Sequence, residues 1–267
     1  MPVWHTNFAP MAAETTEDAV LGGRLILRQP RRGHRVGHDA ILLAAATNAR
    51  AGEHAIDLGA GVGAAGLALA RRIAGVKVTL VEIESTLKTL AAENAERNNL
   101  ADRARAVLLD VTAPDAEFAK VGLASASAAH VLMNPPFNNA SRQNLSPDPR
   151  RRLAHTASSD TLTLWMRRAA MLLAHSGTLT LIWRADGLGD VLAAARADFG
   201  CGAVLPVHPR PNAAAIRVLV RAVRGSRAPL ALMPGLTLND ADGRPTTEAE
   251  AILRGGEALK WPGFCEA

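Results

Sequence analysis

The chain contains no tyrosine, and aromatic residues make up only 3% of its 267 positions. Its core must therefore be filled with Ala, Leu and Val, and a hydrophobic content of 48% supplies enough of them. There are two cysteines, Cys201 and Cys265. They match no metal-ligand spacing and read as free thiols in a reducing compartment. No apolar run is long enough to span a bilayer. The opening "MPVWHTNFAPMAAETTED" lacks the basic start and apolar core of a secretion signal. These absences lead us to expect a cytoplasmic protein with no membrane partner and no bound metal. There is no internal repeat.

Positive charge, in contrast, is present in excess. The formal net charge is +5, and Arg far outnumbers Lys. That balance suits a polyanion such as RNA, and it equally suits an enzyme with an Arg-rich surface.

Strand and helix patterns alternate along the chain. Gly22–Gln29 reads as a strand, and His38–Ala49 as a helix with Asp39 in its first turn. "HAIDL", "KVTLVEIE", "RAVLLDV", "AAHVLMN" and "TLTLIW" read as five further strands. A helix follows the first of them, and Ser85 opens another that ends near Asn98 and Asn99. "NNASRQNLSPDPRRRLAHTASS" has neither period and reads as a long loop, with a helix from Asp160 closing at Gly177. "LGDVLAAARADF" is a helix, "GAVLPVHP" and "AAIRVLVRA" are two late strands joined by "RPN", and a short helix lies around Thr246–Leu253. This order predicts an α/β domain with a doubly wound, mostly parallel, seven-stranded sheet and one antiparallel edge strand. The expected division is a poorly ordered 1–20, a main domain over 21–227 with a strand–helix extension at 21–50, and a tail over 228–267.

"DLGAGVGAAG", Asp57 to Gly66, joins a strand to a helix. Glycines let the backbone turn tightly and approach a ligand, and the helix start offers free N–H groups. Gly61, Gly63 and Gly66 also satisfy the dinucleotide fingerprint, so a nicotinamide-dependent oxidoreductase remains open at this point. Two carboxylates favour a different nucleoside ligand. Asp57 precedes Gly59 and Gly61 in a D-x-G-x-G pattern that could hold a cationic group. Asp110 ends the third strand of the run, where it could receive the exocyclic amine of adenine. Glu82, at the end of the strand between them, could accept ribose hydroxyls.

"NPPF", Asn134 to Phe137, stands at another strand tip, because two prolines end any strand. With this block in place, the order Asp57, Gly59, Gly61, Gly63, Glu82, Asp110, Asn134-Pro135-Pro136-Phe137 resembles class I S-adenosylmethionine-dependent methyltransferases. The Asn-Pro-Pro-aromatic block resembles those that methylate a planar, conjugated nitrogen: adenine N6, guanine N2 or a protein glutamine. The resemblance implies S-adenosylmethionine as cofactor, a Rossmann-like sheet, and catalytic roles for Asn134, Pro135 and Phe137. Asn134 Oδ1 and the Pro135 carbonyl would accept the two N–H bonds of the acceptor amine, and Phe137 would stack on its ring. "GGRLILRQPRRGHRVGHDAILLAAA" and "VHPRPNAAAIRVLVRAVRGSRAPL" narrow the resemblance to bacterial tRNA adenine-N6 methyltransferases. That places His38 and Asp39 on the cofactor side. Phe137 stands where many adenine-N6 enzymes have Tyr, so a guanine-N2 ribosomal RNA enzyme stays open beside tRNA. A protein glutamine or a small-molecule acceptor also stays open, as does a non-catalytic RNA-binding relic of the fold.

The basic residues divide into groups. Arg142, Arg150, Arg151, Arg152 and His155 crowd the segment after Phe137, where they could hold RNA phosphates. Arg28, Arg31, Arg32 and Arg35 cluster before the first helix. His208 could approach the substrate from the late strand connection. Arg217, Arg221, Arg224 and Arg227 read as the solvent face of an edge strand. Trp165, Trp183 and Trp261 read as filler, and His54, His130 and His175 have no evident role.

Overall fold

Two apolar clusters lie on the two faces of one sheet, and residue alternation along each strand decides which side chain enters which. On β6 (Ala128–Met133), Val131 and Met133 enter one cluster and Leu132 the other. The computed structural model describes residues 14–32, 35–136 and 149–262, without the side chains of 149–160 and Cys201. Phe137, Arg142 and Cys265 fall outside the described residues, as do the side chains of Arg150, Arg151, Arg152, His155 and Cys201.

The nucleus of the sheet is β3 (His54–Leu58), β4 (Lys77–Glu82), β5 (Ala104–Leu108), β6 and β7 (Leu173–Arg184), all mutually parallel. The crossovers are α2 (Ala64–Arg72), α3 (Ser85–Arg97), α4 (Asp115–Lys120) and α5 (Pro149–Leu172). After α6 (Leu188–Ala195), β8 (Phe199–His208) and β9 (Arg217–Arg224) complete the main strands, and β9 runs antiparallel between β7 and β8. Two short strands, β10 (Ala231–Leu232) and β11 (Leu236–Thr237), add to the far side of β8. They flank Pro206, which has no N–H to give a continuous strand there. The doubly wound, mostly parallel sheet is as expected, with nine strands among the described residues instead of seven.

α1 (His38–Ala46) and α7 (Thr247–Leu253) pack against one face, and Thr246 caps α7 by accepting the Ala249 N–H at 3.1 Å. The end of the described chain is tied to α1: Leu259 N–H donates to the Ala45 carbonyl and Trp261 Nε1 to that of Ala46.

The N-terminal segment is a hairpin of β1 (Thr15–Val20) and β2 (Leu25–Pro30). β1 has a full ladder to β2, and Glu17 forms an ion pair with Arg97 at 2.8 Å. Two buried asparagines one turn apart, Asn94 on α3 and Asn98 just after it, hold the free edge of β2. Asn98 accepts the Ile26 N–H at 2.9 Å and donates to the Ile26 carbonyl at 2.7 Å. Asn94 does the same for Arg28, at 2.7 and 3.0 Å, and also donates to the Val62 carbonyl at 3.0 Å. The side chains thus act as a substitute strand.

Three helical expectations change. α5 starts at Pro149, eleven residues before Asp160, since proline at a first helical position loses no hydrogen bond. It ends at Leu172 instead of Gly177, because residues from Leu173 onward already belong to β7. α4 is too short to announce itself by period. No helix among the described residues is long and apolar enough to cross a membrane.

Candidate active site

Five parallel strands end on one rim, and four of these ends carry residues singled out by the sequence. Gly59 and Gly61 follow β3, Glu82 ends β4, Asp110 follows β5, and Asn134 and Pro135 follow β6. All six line one cavity of about 1060 Å³, together with Asp39 of α1. A cleft outside the carboxyl ends of strands is where open α/β sheets bind ligands.

The glycine loop is held from below. Asp57 is 2% exposed and accepts the Gly66 N–H at 2.8 Å. Burial pushes its carboxyl up to about 7, against the pull of the Gly66 N–H and with the Glu82 carboxylate adding to the rise. Asp57 therefore braces the loop from beneath and is not on the cavity wall. Gly63, the residue before α2, is likewise a packing position, against Leu80 and Leu67. Gly59 does face the cavity. Its φ is +70°, and a Cβ there would lie 2.4 Å from Trp165 Cη2.

Glu82 closes the loop from above. Its Oε2 accepts the Gly61 N–H at 2.7 Å, and its Oε1 accepts the Ile83 and Glu84 N–H groups, both at 2.9 Å. A carboxylate offers about four lone-pair sites, so one is left for a hydroxyl in the cavity. Ile83, beside it, is 63% exposed on the cavity wall, an apolar surface suited to a flat ring. Asp110 Oδ1 accepts the Thr112 N–H and hydroxyl at 2.7 and 2.8 Å.

Asn134 differs from these carboxylates. Its Oδ1 is buried and has no hydrogen-bond partner among the described residues. An acceptor left unmet in a cavity wall costs about 1–3 kcal/mol, which a ligand N–H would restore.

Several cavity residues carried no local signal. Trp165 of α5 presses on Gly59. Arg217, expected on a solvent face, lines the cavity and meets Asp39 at 2.9 Å, because β9 is an inner strand. Arg184 and Asp186 pair with each other on the same wall, through Nε and Oδ1 at 2.8 Å. Arg221 is 5% exposed for the same reason as Arg217. Besides Asp57 and Gly63, two more expected residues are not on the wall. His38 is exposed at the start of α1. His208 points its Nδ1 at the Ala213 carbonyl, 2.8 Å away, and so ties down its own loop.

Glycines where the chain must pass close, an acid at two successive strand ends, an exposed apolar residue between them and an unmet acceptor at a Pro-Pro tip together fit the adenosyl, sulfonium and acceptor parts of a methyl-transfer site. Fold and site have the layout of class I S-adenosylmethionine-dependent methyltransferases. A family model described as "methyltransferase small domain" matches residues 34–188, and the chain belongs to that family. It is 31% identical over 161 residues to a tRNA1(Val) (adenine(37)-N6)-methyltransferase of Porphyromonas gingivalis, covering 59% of this chain and 61% of that protein. It is 28% identical over 200 residues to a protein of the same name from Trichodesmium erythraeum, covering 73% and 79%. The match to the first of these thus spans less than two thirds of its length. Among solved structures, a predicted O-methyltransferase of Agrobacterium tumefaciens superposes with a TM-score of 0.71 at 29% identity, covering 83% of this chain and 98% of that one.

Proposed function

We propose that this chain methylates the exocyclic nitrogen of a nucleobase, with N6 of an adenine in tRNA as the favoured acceptor, in the cytoplasm. The observation that carries the reading is the buried Oδ1 of Asn134, without a partner among the described residues, on the wall of the cavity that Gly59, Gly61, Glu82 and Asp110 also line. The names of the two relatives support tRNA adenine as the target.

S-adenosylmethionine, when bound, supplies an electrophilic methyl group on a sulfonium. The task left to the protein is alignment, because an aromatic amine is a poor nucleophile whose lone pair is delocalised. Asn134 Oδ1 and the Pro135 carbonyl would accept the two amine N–H bonds, orient the nitrogen lone pair and stabilise the charge that develops on it. The two prolines hold both acceptors rigid. Glu82 would hold a ribose hydroxyl, Asp110 the adenine amine of the cofactor, and Ile83 the face of that ring. Asp39 sits on the cofactor side, fixed by Arg217. Phe137 stacks on the acceptor base, and Arg142, Arg150, Arg151 and Arg152 hold phosphates of the RNA. A base in a stacked loop is turned outward to reach Asn134.

The test is methyl transfer from labelled S-adenosylmethionine to total RNA from cells lacking the gene, with Asn134→Ala in parallel. N6-methyladenosine in the tRNA fraction is expected. N2-methylguanosine in ribosomal RNA would move the target and keep the site. Label in protein alone would refute the nucleobase reading.

A further inference from the structure

The segment between β5 and α4, residues 109–114, carries Asp110 and Val111 onto the wall of the cofactor cavity. Little within the segment fixes its shape. Its start is tied to β4 by the Leu109 N–H, and one turn bond runs from the Ala113 N–H to the Asp110 carbonyl. It belongs to no strand or helix, and α4 beyond it has six residues, too few to be stable through their own hydrogen bonds. Asp110 Oδ1 is engaged by the Thr112 N–H and hydroxyl, which leaves Oδ2 for a ligand. The placement of Asp110 therefore depends on what holds Thr112.

Arg168 of α5 holds it from both sides. Its Nε donates to the Val111 carbonyl at 3.0 Å and its Nη2 to the Ala113 carbonyl. These are the two residues that flank Thr112. Its Nη1 donates to Asp115 Oδ1 at 2.6 Å, on the first residue of α4. The guanidinium carbon lies 4.1 Å from the centre of the Phe118 ring, which is fully buried. All three guanidinium nitrogens thus serve one segment, and the side chain is 11% exposed. Arg168 is not itself on the cavity wall.

A surface ion pair does not account for this arrangement. Asp115 is 76% exposed, so its charge contributes little. The sheltered part of the contact is the pair of carbonyls, which a planar fork can meet together and an ammonium cannot. α5 also acts on the same cavity from another position. Trp165 lies three residues earlier, on the same helix face, and presses on Gly59. One face of α5 therefore backs both loops of the cleft, the glycine loop after β3 and the Asp110 loop after β5.

We infer that Arg168 is a positioning residue that gives the site its selectivity for the adenine of S-adenosylmethionine, acting through Thr112 on Asp110. This rests on the reading of Asp110 as the acceptor of the adenine amine. With the fork in place, Asp110 Oδ2 is held where it accepts from an exocyclic amine and repels a carbonyl oxygen. Without the fork, the segment spreads over several conformations and the amine loses a fixed partner, while the glycine loop and Glu82 keep their own bonds.

The test compares the binding of S-adenosylhomocysteine and S-inosylhomocysteine by calorimetry. The second ligand carries a carbonyl oxygen where adenine has its amine. The unaltered protein should prefer the first by about tenfold to a hundredfold, the worth of a hydrogen bond to a charged group. Arg168→Gln should bring that preference down to about threefold or less. Arg168→Lys, which keeps a charge over Phe118, should lose most of it too, because an ammonium cannot span both carbonyls. Thr112→Val, at an exposed position, should give the same loss with Arg168 intact. Asn98→Ala is the control for lost stability alone: it should lower the melting temperature and keep the preference. An intact preference in any of the Arg168 and Thr112 variants, or an equal loss in Asn98→Ala, would overturn the inference and leave Asp110 as the reader of adenine. No preference in the unaltered protein would overturn the reading of Asp110, and the inference with it. None of these measurements involves the methyl acceptor, so they stand apart from the choice of RNA base.

Discussion

Asp57→Asn separates the carboxylate's cost from its bracing role. In the folded chain the Asp57 carboxyl titrates at about 7, against 3.8 unperturbed, chiefly because burial penalises its charge. Between those two values the folded state holds a proton that the unfolded state has lost. Stability contributed by this group is therefore fully present below about 3.8 and declines as pH rises toward 7. Each pH unit of that interval is about 1.4 kcal/mol, so the whole fall is roughly 4 kcal/mol. Asparagine keeps the shape and an oxygen for the Gly66 N–H, and it cannot ionise. Its extra N–H bonds cost about 1–3 kcal/mol if unmet, but that cost does not depend on pH. Urea unfolding of both proteins from pH 4.5 to 7.5, at constant salt, isolates Asp57 together with its coupling to Glu82, because groups away from them titrate alike in the two. The difference in stability should move in favour of Asp57→Asn by several kcal/mol as pH rises. Parallel pH profiles for the two proteins would refute the reasoning.

Other perturbations test other parts of the site. Asn134→Ala should lower methyl transfer by about 10²–10³-fold with S-adenosylhomocysteine affinity nearly unchanged by calorimetry, since only the acceptor amine loses its partner. Gly59→Ala should weaken cofactor binding and lower the melting temperature. Adding Trp165→Leu should relieve the clash and leave the positive-φ strain of about 1–2 kcal/mol. Asn98→Ala and Asn94→Ala should each destabilise the fold by about 1–3 kcal/mol per unmet β2 group. Only Asn94→Ala should also loosen S-adenosylhomocysteine binding, because Asn94 alone reaches the glycine loop at Val62.

The strand-end residues were legible in the sequence for a physical reason. A parallel strand buried on both faces reads as an apolar run, and the first polar or glycine residue after it marks the rim. Asp110 and Asn134 fall there, and Glu82 and Gly59 mark the ends of their own runs. Residues brought to the cavity by long-range packing left no such mark. Trp165 lies on a helix whose face depends on where α5 begins, and the Pro-rich segment concealed that start. Arg217 and Arg221 looked like a solvent face because nothing local announces that β9 is inserted inside the sheet. His208 attracted notice as a titratable residue near a loop, while its bond to Ala213 gives it a structural task. Asn94 and Asn98 sit at helical spacing, a period that does not distinguish a solvated pair from one that pairs a strand.

The insertion of β9 also sets an order of assembly. β7 and β6 can pair as soon as residue 184 is available, but the other edge of β7 has no neighbour until residues 217–224 arrive. β9 then pairs β7 on one edge and the earlier β8 on the other. During synthesis the longest strand of the sheet therefore waits with an open, largely apolar edge for about thirty residues, which takes a few seconds at ribosomal speed. That interval, more than the finished fold, is where the chain is exposed to edge-to-edge association, and where a chaperone would find its target.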